Sequence, residues 1–153
     1  MSVRDHRVET RMWLPRTPAE LFPFFADARN LEAITPPWLR FSVLTPAPIP
    51  MHAGTHIRYR LRLHGVPLRW LTEIAAWEPP HRFVDRQLSG PYAVWEHEHR
   101  FRAVGAGTVM ADHVAYRIRG GRAADALGDA AVARRDLRRI FEFRARELRA
   151  RFG

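Results

Sequence analysis

Alternation of apolar and polar residues dominates the chain between Asp5 and Ile118. Val8, Met12 and Leu14 alternate with Arg7, Glu9 and Arg11, which predicts a first strand over residues 5–14. The run from Thr55 to Leu63 puts Ile57, Tyr59, Leu61 and Leu63 on one side and Arg58, Arg60 and Arg62 on the other. A His64-Gly65 turn then sets Leu68 against Leu61, Trp70 against Tyr59 and Thr72 against Ile57. Between Tyr92 and Phe101 one face carries Trp95, His97, His99 and Phe101, and the other Glu96, Glu98 and Arg100. The next run has Met110, Asp112, Val114, Tyr116 and Ile118 on its more apolar face. A two-residue Gly105-Ala106 turn brings the two inward faces together, with Phe101 opposite Met110, His99 opposite Asp112, His97 opposite Val114 and Trp95 opposite Tyr116. A slip of one residue would send Asp112 outward. A short strand over 41–45 and another over 82–88 complete the set. The inward face of the latter is open: Phe83, Asp85 and Gln87 if the Ser89-Gly90-Pro91 loop is odd, Val84 and Leu88 if it is even.

Two short helices precede the main block of strands. Thr17-Pro18-Ala19-Glu20 is a helix start, with Thr as cap, Pro in the first turn and Glu three residues after the cap. Pro23 should keep that helix short. A second runs over about 30–34 and ends at Thr35-Pro36-Pro37. At the other end, 3.6-residue periodicity predicts a long helix over about 123–152. Its apolar stripe carries Ala130, Ala133, Leu137, Ile140, Phe141, Ala145, Leu148 and Phe152. Arg134 and Arg144 fall within the stripe and are read as snorkelling from its edges. Val132 and Phe143 fall on the far side. One such helix cannot fill the concavity of six or seven strands, so a gap between sheet and helix is expected to form a ligand cavity.

Composition narrows the function classes. The 153 residues fit a single domain spanning 1–153. There is no cysteine, which removes disulfides and thiolate chemistry. No apolar leader or run of membrane-spanning length is visible, so membrane insertion is not expected and a cytoplasmic location is. The net charge is +9 and every basic residue is Arg. Those arginines are dispersed among acids and apolar residues rather than gathered into a tail, which argues against a nucleic-acid partner and for a basic solvated exterior. The oligomeric state is not legible.

The order of elements, together with Asn30-Leu31-Glu32, Thr35-Pro36-Pro37, Gly65-Val66-Pro67-Leu68-Arg69-Trp70, Phe83-Val84-Asp85, Gly90-Pro91-Tyr92 and Trp95-Glu96-His97-Glu98-His99-Arg100-Phe101, resembles the bacterial SRPBCC, or START-like helix-grip, superfamily. That superfamily includes polyketide cyclases and coenzyme Q-binding proteins. The resemblance spans nearly the whole chain. It implies an α+β helix-grip fold, a six- to seven-stranded curved antiparallel sheet around a long C-terminal helix, and an internal ligand cavity. It implies no reaction and carries over no catalytic residue.

His97, His99 and Asp112 stand on an apolar sheet face, where unpaired polar groups are costly. Three roles compete. A His-x-His plus carboxylate set can hold a metal. A pair in which Asp112 orients His99 can move a proton on a bound carbonyl compound, with Tyr116 or Tyr59 polarising the carbonyl, as a cyclase or dehydratase requires. A polar cluster can position a ligand or satisfy itself. The last is preferred, and no metal or cofactor is assigned. The expected function is binding of a hydrophobic or aromatic small molecule, such as a lipid, quinone or polyketide-like compound. The cavity is expected to use Tyr59, Trp70, Thr72, Asp85, Gln87, Trp95, His97, His99, Asp112 and Tyr116. The alternatives are a cyclase/dehydratase using His99 and Asp112, and an interaction module for protein or nucleic acid using the Arg-rich surface.

Overall fold

The computed structural model describes residues 5–119 and 130–153. Seven antiparallel strands form one sheet: β1 (His6–Leu14), β2 (Ser42–Val43), β3 (His56–Leu63), β4 (Val66–Glu78), β5 (Arg82–Ser89), β6 (Tyr92–Val104) and β7 (Gly107–Ile118). Their spatial order is β1-β7-β6-β5-β4-β3-β2, so the first strand returns to pair with the last. Helix α1 (Pro18–Ala26) and two 3-10 helices (Ala28–Ile34 and Pro37–Leu39) lie between β1 and β2. Helix α2 (Ala130–Phe152) closes the chain. This is the expected α+β arrangement of a curved sheet holding a C-terminal helix. The expected helical residues before Ala130, and the Gly120-Gly121 break, lie outside the described residues.

The registers follow from the alternation. Tyr59 faces Trp70 and Leu61 faces Leu68 across the β3–β4 hairpin. His64 and Gly65 both take positive φ at its tip, as a tight hairpin turn with matching twist requires. Across β6–β7, Trp95 pairs with Tyr116, His97 with Val114, His99 with Asp112 and Phe101 with Met110. For β5 the structure selects the odd connection, because Phe83 pairs with His99 and Asp85 with His97. Asp85 therefore shares the concave face, while Leu88 is exposed.

Two elements differ from expectation. The strand expected over 41–45 pairs only at Ser42–Val43. Beyond it Leu44 N still donates to Arg58 O, while side chains take Val43 N, which donates to Glu32 Oε1, and Arg58 N, which donates to Thr45 Oγ1. The short helix after α1 is a 3-10 helix that begins at Ala28, where Asp27 accepts from Arg29 N. Thr17 caps α1 as expected and accepts from Glu20 N.

Of the four apolar clusters in the core of the described residues, the two largest flank its polar residues. Leu21, Phe22 and Phe25 of α1 pack with Phe83, Phe101, Met110 and Leu148 at one end. Tyr92, Val114 and Tyr116 pack with Ala133, Leu137 and Phe141 at the other. Between these two, five elements contribute polar residues: Thr10 from β1, Asp112 from β7, His97 and His99 from β6, Asp85 from β5 and Arg144 from α2. A polar belt thus crosses the core where the strands pass beneath α2.

Candidate functional site

A cavity of about 170 Å³ lies between the sheet and α2. Leu61, Leu63, Leu137, Ile140 and Phe141 supply much of its apolar wall. Tyr59, Trp70, Tyr92 and Trp95 supply the aromatic part. Trp70 and Trp95 meet edge to face with centroids 5.2 Å apart, and Tyr92 lies 5.0 Å from Trp95. The polar end consists of Asp85, His97, His99 and Arg144, with Thr72 nearby.

Strand geometry places the histidines. Two residues apart on β6, they point to the same face, and their rings stack with centroids 3.7 Å apart. Phe83, directly opposite His99, extends the stack at 3.9 Å. The ring edges are fixed by carboxylates. His97 Nε2 lies 2.8 Å from Asp112 Oδ1, and His99 Nε2 lies 2.6 Å from Asp85 Oδ2. Arg144 reaches down from α2, with Nη2 3.2 Å from His99 Nδ1 and 3.4 Å from Asp112 Oδ1. Thr10 Oγ1 donates to the other oxygen of Asp112 at 3.4 Å.

The electrostatics of this belt follow from burial and pairing. Burial alone would raise the Asp112 carboxyl, but the Arg144 charge and the hydrogen bond from His97 hold it well below the usual carboxylate range. Burial also opposes ionisation of Asp85, and the His99 hydrogen bond, with the charges around it, outweighs that effect, so this carboxyl too is held low. Burial pushes His97 down, and the neighbouring His99 adds to the effect, against the pull of Asp112. The Tyr59 hydroxyl is raised by burial and by the Asp85 charge, which leaves it a proton donor.

Seven of the ten residues expected to meet a ligand line the cavity: Tyr59, Trp70, Thr72, Asp85, Trp95, His97 and His99. Three do not. Gln87 closes the β5–β6 turn by bonding both backbone groups of Tyr92. Asp112 lies behind the histidines, where it anchors His97 and Arg144. Tyr116 is fully buried among His6, Tyr92 and the α2 side chains. The pairing of carboxylates with histidines also differs from expectation. His99 and Asp112 are cross-strand neighbours on the concave face. His99 Nδ1 lies 3.4 Å from Asp112 Oδ1, but the shorter contact of Asp112 is to His97, at 2.8 Å, and that of His99 is to Asp85, at 2.6 Å.

Arg144 is the main residue that sequence reasoning misplaced. It is 8% exposed and points into the belt, whereas Arg134 stays in solvent as expected. The signal was its position, seven residues after Leu137 and four before Leu148, in the middle of the buried stripe. Phe143 is also not free on the far side; its ring packs at 6.1 Å against Trp38.

Asp85, His97 and His99 have the spacing to share a cation, because one oxygen and two ring nitrogens lie within 4.8 Å of one another. Arg144 opposes that use. Its guanidinium takes His99 Nδ1 and adds a positive charge beside any cation held there.

Comparison with solved structures shows the same fold. A START superfamily protein from Mycobacterium smegmatis is 12% identical, with 96% of this chain and 97% of that one covered at a TM-score of 0.68. The major latex-like protein 151 of Panax ginseng is 9% identical, with 99% of each chain covered and a TM-score of 0.70. A protein from Thermus thermophilus is 20% identical over 94% of this chain and 91% of that one, with a TM-score of 0.61. No curated protein matches the sequence. The family described as "Polyketide cyclase / dehydrase and lipid transport" matches residues 5–153, so the chain belongs to that family.

Proposed function

We propose that this protein binds a hydrophobic or aromatic small molecule, such as a lipid, quinone or polyketide-like compound, between the sheet and α2. The carrying observation is a cavity with an aliphatic and aromatic wall that ends on a few convergent polar groups, Asp85, His97, His99 and Arg144. Such a site holds an apolar body by area and fixes one polar end by hydrogen bonds. A volume of about 170 Å³ is on the scale of a cavity that takes one aromatic ring, so a longer ligand requires side chains at the rim to move. Family membership supports the reading, since the family description names lipid transport beside cyclase and dehydrase activity. Native mass spectrometry of freshly purified protein tests it. A noncovalent organic adduct that is lost on denaturation supports the reading. An unliganded mass, together with failure to take up any of a panel of aromatic and acyl compounds, refutes it.

A second reading is a cyclase or dehydratase working in the same cavity. The observation that favours it is a cavity-lining imidazole backed by a buried carboxylate, His97 with Asp112 at 2.8 Å. Conversion of a bound carbonyl compound, followed by mass spectrometry of the released product, separates catalysis from simple binding.

A further inference from the structure

We propose that Nδ1 of His97 is the proton-accepting atom of the cavity, and that the preferred ligands are hydrophobic compounds with an acidic hydroxyl, phenols and enols above all. The proposal rests on the reading of the cavity as a small-molecule site.

The protons of the belt can be assigned one after another. His99 Nδ1 lies 3.2 Å from Arg144 Nη2 and 3.4 Å from Asp112 Oδ1; Arg144 can only donate and is the nearer, so Nδ1 is assigned as the acceptor. The His99 proton then sits on Nε2 and is donated to Asp85 Oδ2 at 2.6 Å. Both nitrogens of His99 are thereby committed. His97 directs Nε2 at Asp112 Oδ1, a carboxylate already faced by Arg144 and Thr10, so this nitrogen is the donor. Asp112 lies outside the cavity lining, whereas Asp85, 3.8 Å from His97 Nδ1, lies in it. The Nδ1 edge is therefore the one turned toward the ligand side. The faces of the ring are covered as well: His99 stacks on it at 3.7 Å and Phe141 meets it edge-on at 5.6 Å.

Charge favours leaving Nδ1 bare. His97 is 5% exposed, and burial beside a second imidazole disfavours its cation. The groups that face it are Asp85 on β5, His99 on β6, Asp112 on β7 and Arg144 on α2, with Thr10 on β1 behind Asp112. Around the ring two carboxylates face one guanidinium, so the field at Nδ1 is negative. A ligand hydroxyl that donates toward Nδ1 and leans its proton into that field relieves it. A ligand carboxylate or phosphate would worsen it.

The test compares 2-naphthol with naphthalene and 2-methoxynaphthalene, one smaller and one larger than naphthol and neither able to donate. Calorimetric titration of the wild type should give about tenfold tighter binding of 2-naphthol, the worth of one buried neutral hydrogen bond. His97→Phe should erase the preference, so that 2-naphthol binds no more tightly than the other two. In ¹⁵N-edited spectra of the wild type, Nδ1 of His97 should carry no proton near neutral pH and should shift when 2-naphthol is added. Equal affinities for the three compounds in the wild type, or a proton found on His97 Nδ1, overturns the proposal while leaving the cavity a binding site. If none of the three binds, the cavity reading itself falls and takes the proposal with it. Should His97→Phe not fold, the wild-type affinities and the ¹⁵N spectra still decide.

Discussion

Arg144 Nη2 lies 3.4 Å from Asp112 Oδ1, a contact between the middle of the C-terminal helix and the last strand, buried at both ends. It ties α2 to the sheet at the level of the polar belt and supplies the positive charge that Asp112 needs in an apolar surrounding. A buried ion pair need not add net stability, but removing one partner strands the other.

Asp112→Asn should therefore destabilise the protein by about 3–5 kcal/mol, because Arg144 loses the nearest carboxylate facing it. The double variant Asp112→Asn/Arg144→Met should cost less than the sum of the two single changes, with a coupling of at least ~1 kcal/mol. Urea unfolding of the four proteins measures this. Additive effects would mean that the two groups do not interact.

His97 gives a pH dependence with a definite sign. Its folded value is held below its unfolded one by burial. The unfolded chain then binds a proton that the folded chain refuses. The contribution is complete above the unfolded histidine value of about 6.5 and is lost as pH falls below it toward the depressed folded value. Stability should fall by up to about 1.4 kcal/mol per pH unit per proton in that window. His97→Gln should flatten the slope below about pH 6.5. An unchanged slope would show that His97 does not carry it.

On the outer face of the sheet, Glu98 lies between Arg100 and Arg82 at 2.7 and 2.6 Å. The Arg100 hydrogen bond, with Arg82 adding to it, brings its carboxyl down to about 2. The contribution is present above the unfolded glutamate value and disappears as pH falls through about 2. The site is partly solvated, so Glu98→Gln should cost no more than about 1 kcal/mol at neutral pH. The difference between variant and wild type should close in acid. Denaturant midpoints at several pH values give the comparison.

Alternation and turn length were enough to place the β3–β4 and β6–β7 registers, because one face of each strand is buried and the hairpins are two residues long. They were enough to bring Trp70, Trp95, His97 and His99 to one concave face. The inward side of β5 stayed open because its turn could be read as odd or even. The Arg86–Glu96 pairing, centred on Pro91, resolves it and adds Asp85 to the site. The partner exchange between carboxylates and histidines was not legible, since Cα register places His99 opposite Asp112 while side-chain reach gives Asp112 to His97. Arg144 was hidden for another reason. An arginine in an apolar stripe reads as snorkelling unless its buried carboxylate is known to lie across the interface.

The central claim is that the space between sheet and α2 receives a small apolar molecule. Calorimetric titration of 2-naphthol into the wild type and into Ile140→Trp, which fills the cavity from the α2 side, tests it most directly. Saturable one-to-one binding to the wild type with a negative heat-capacity change is predicted, as is its loss in a folded Ile140→Trp. No saturable binding to the wild type, or equal binding to both proteins, would contradict it.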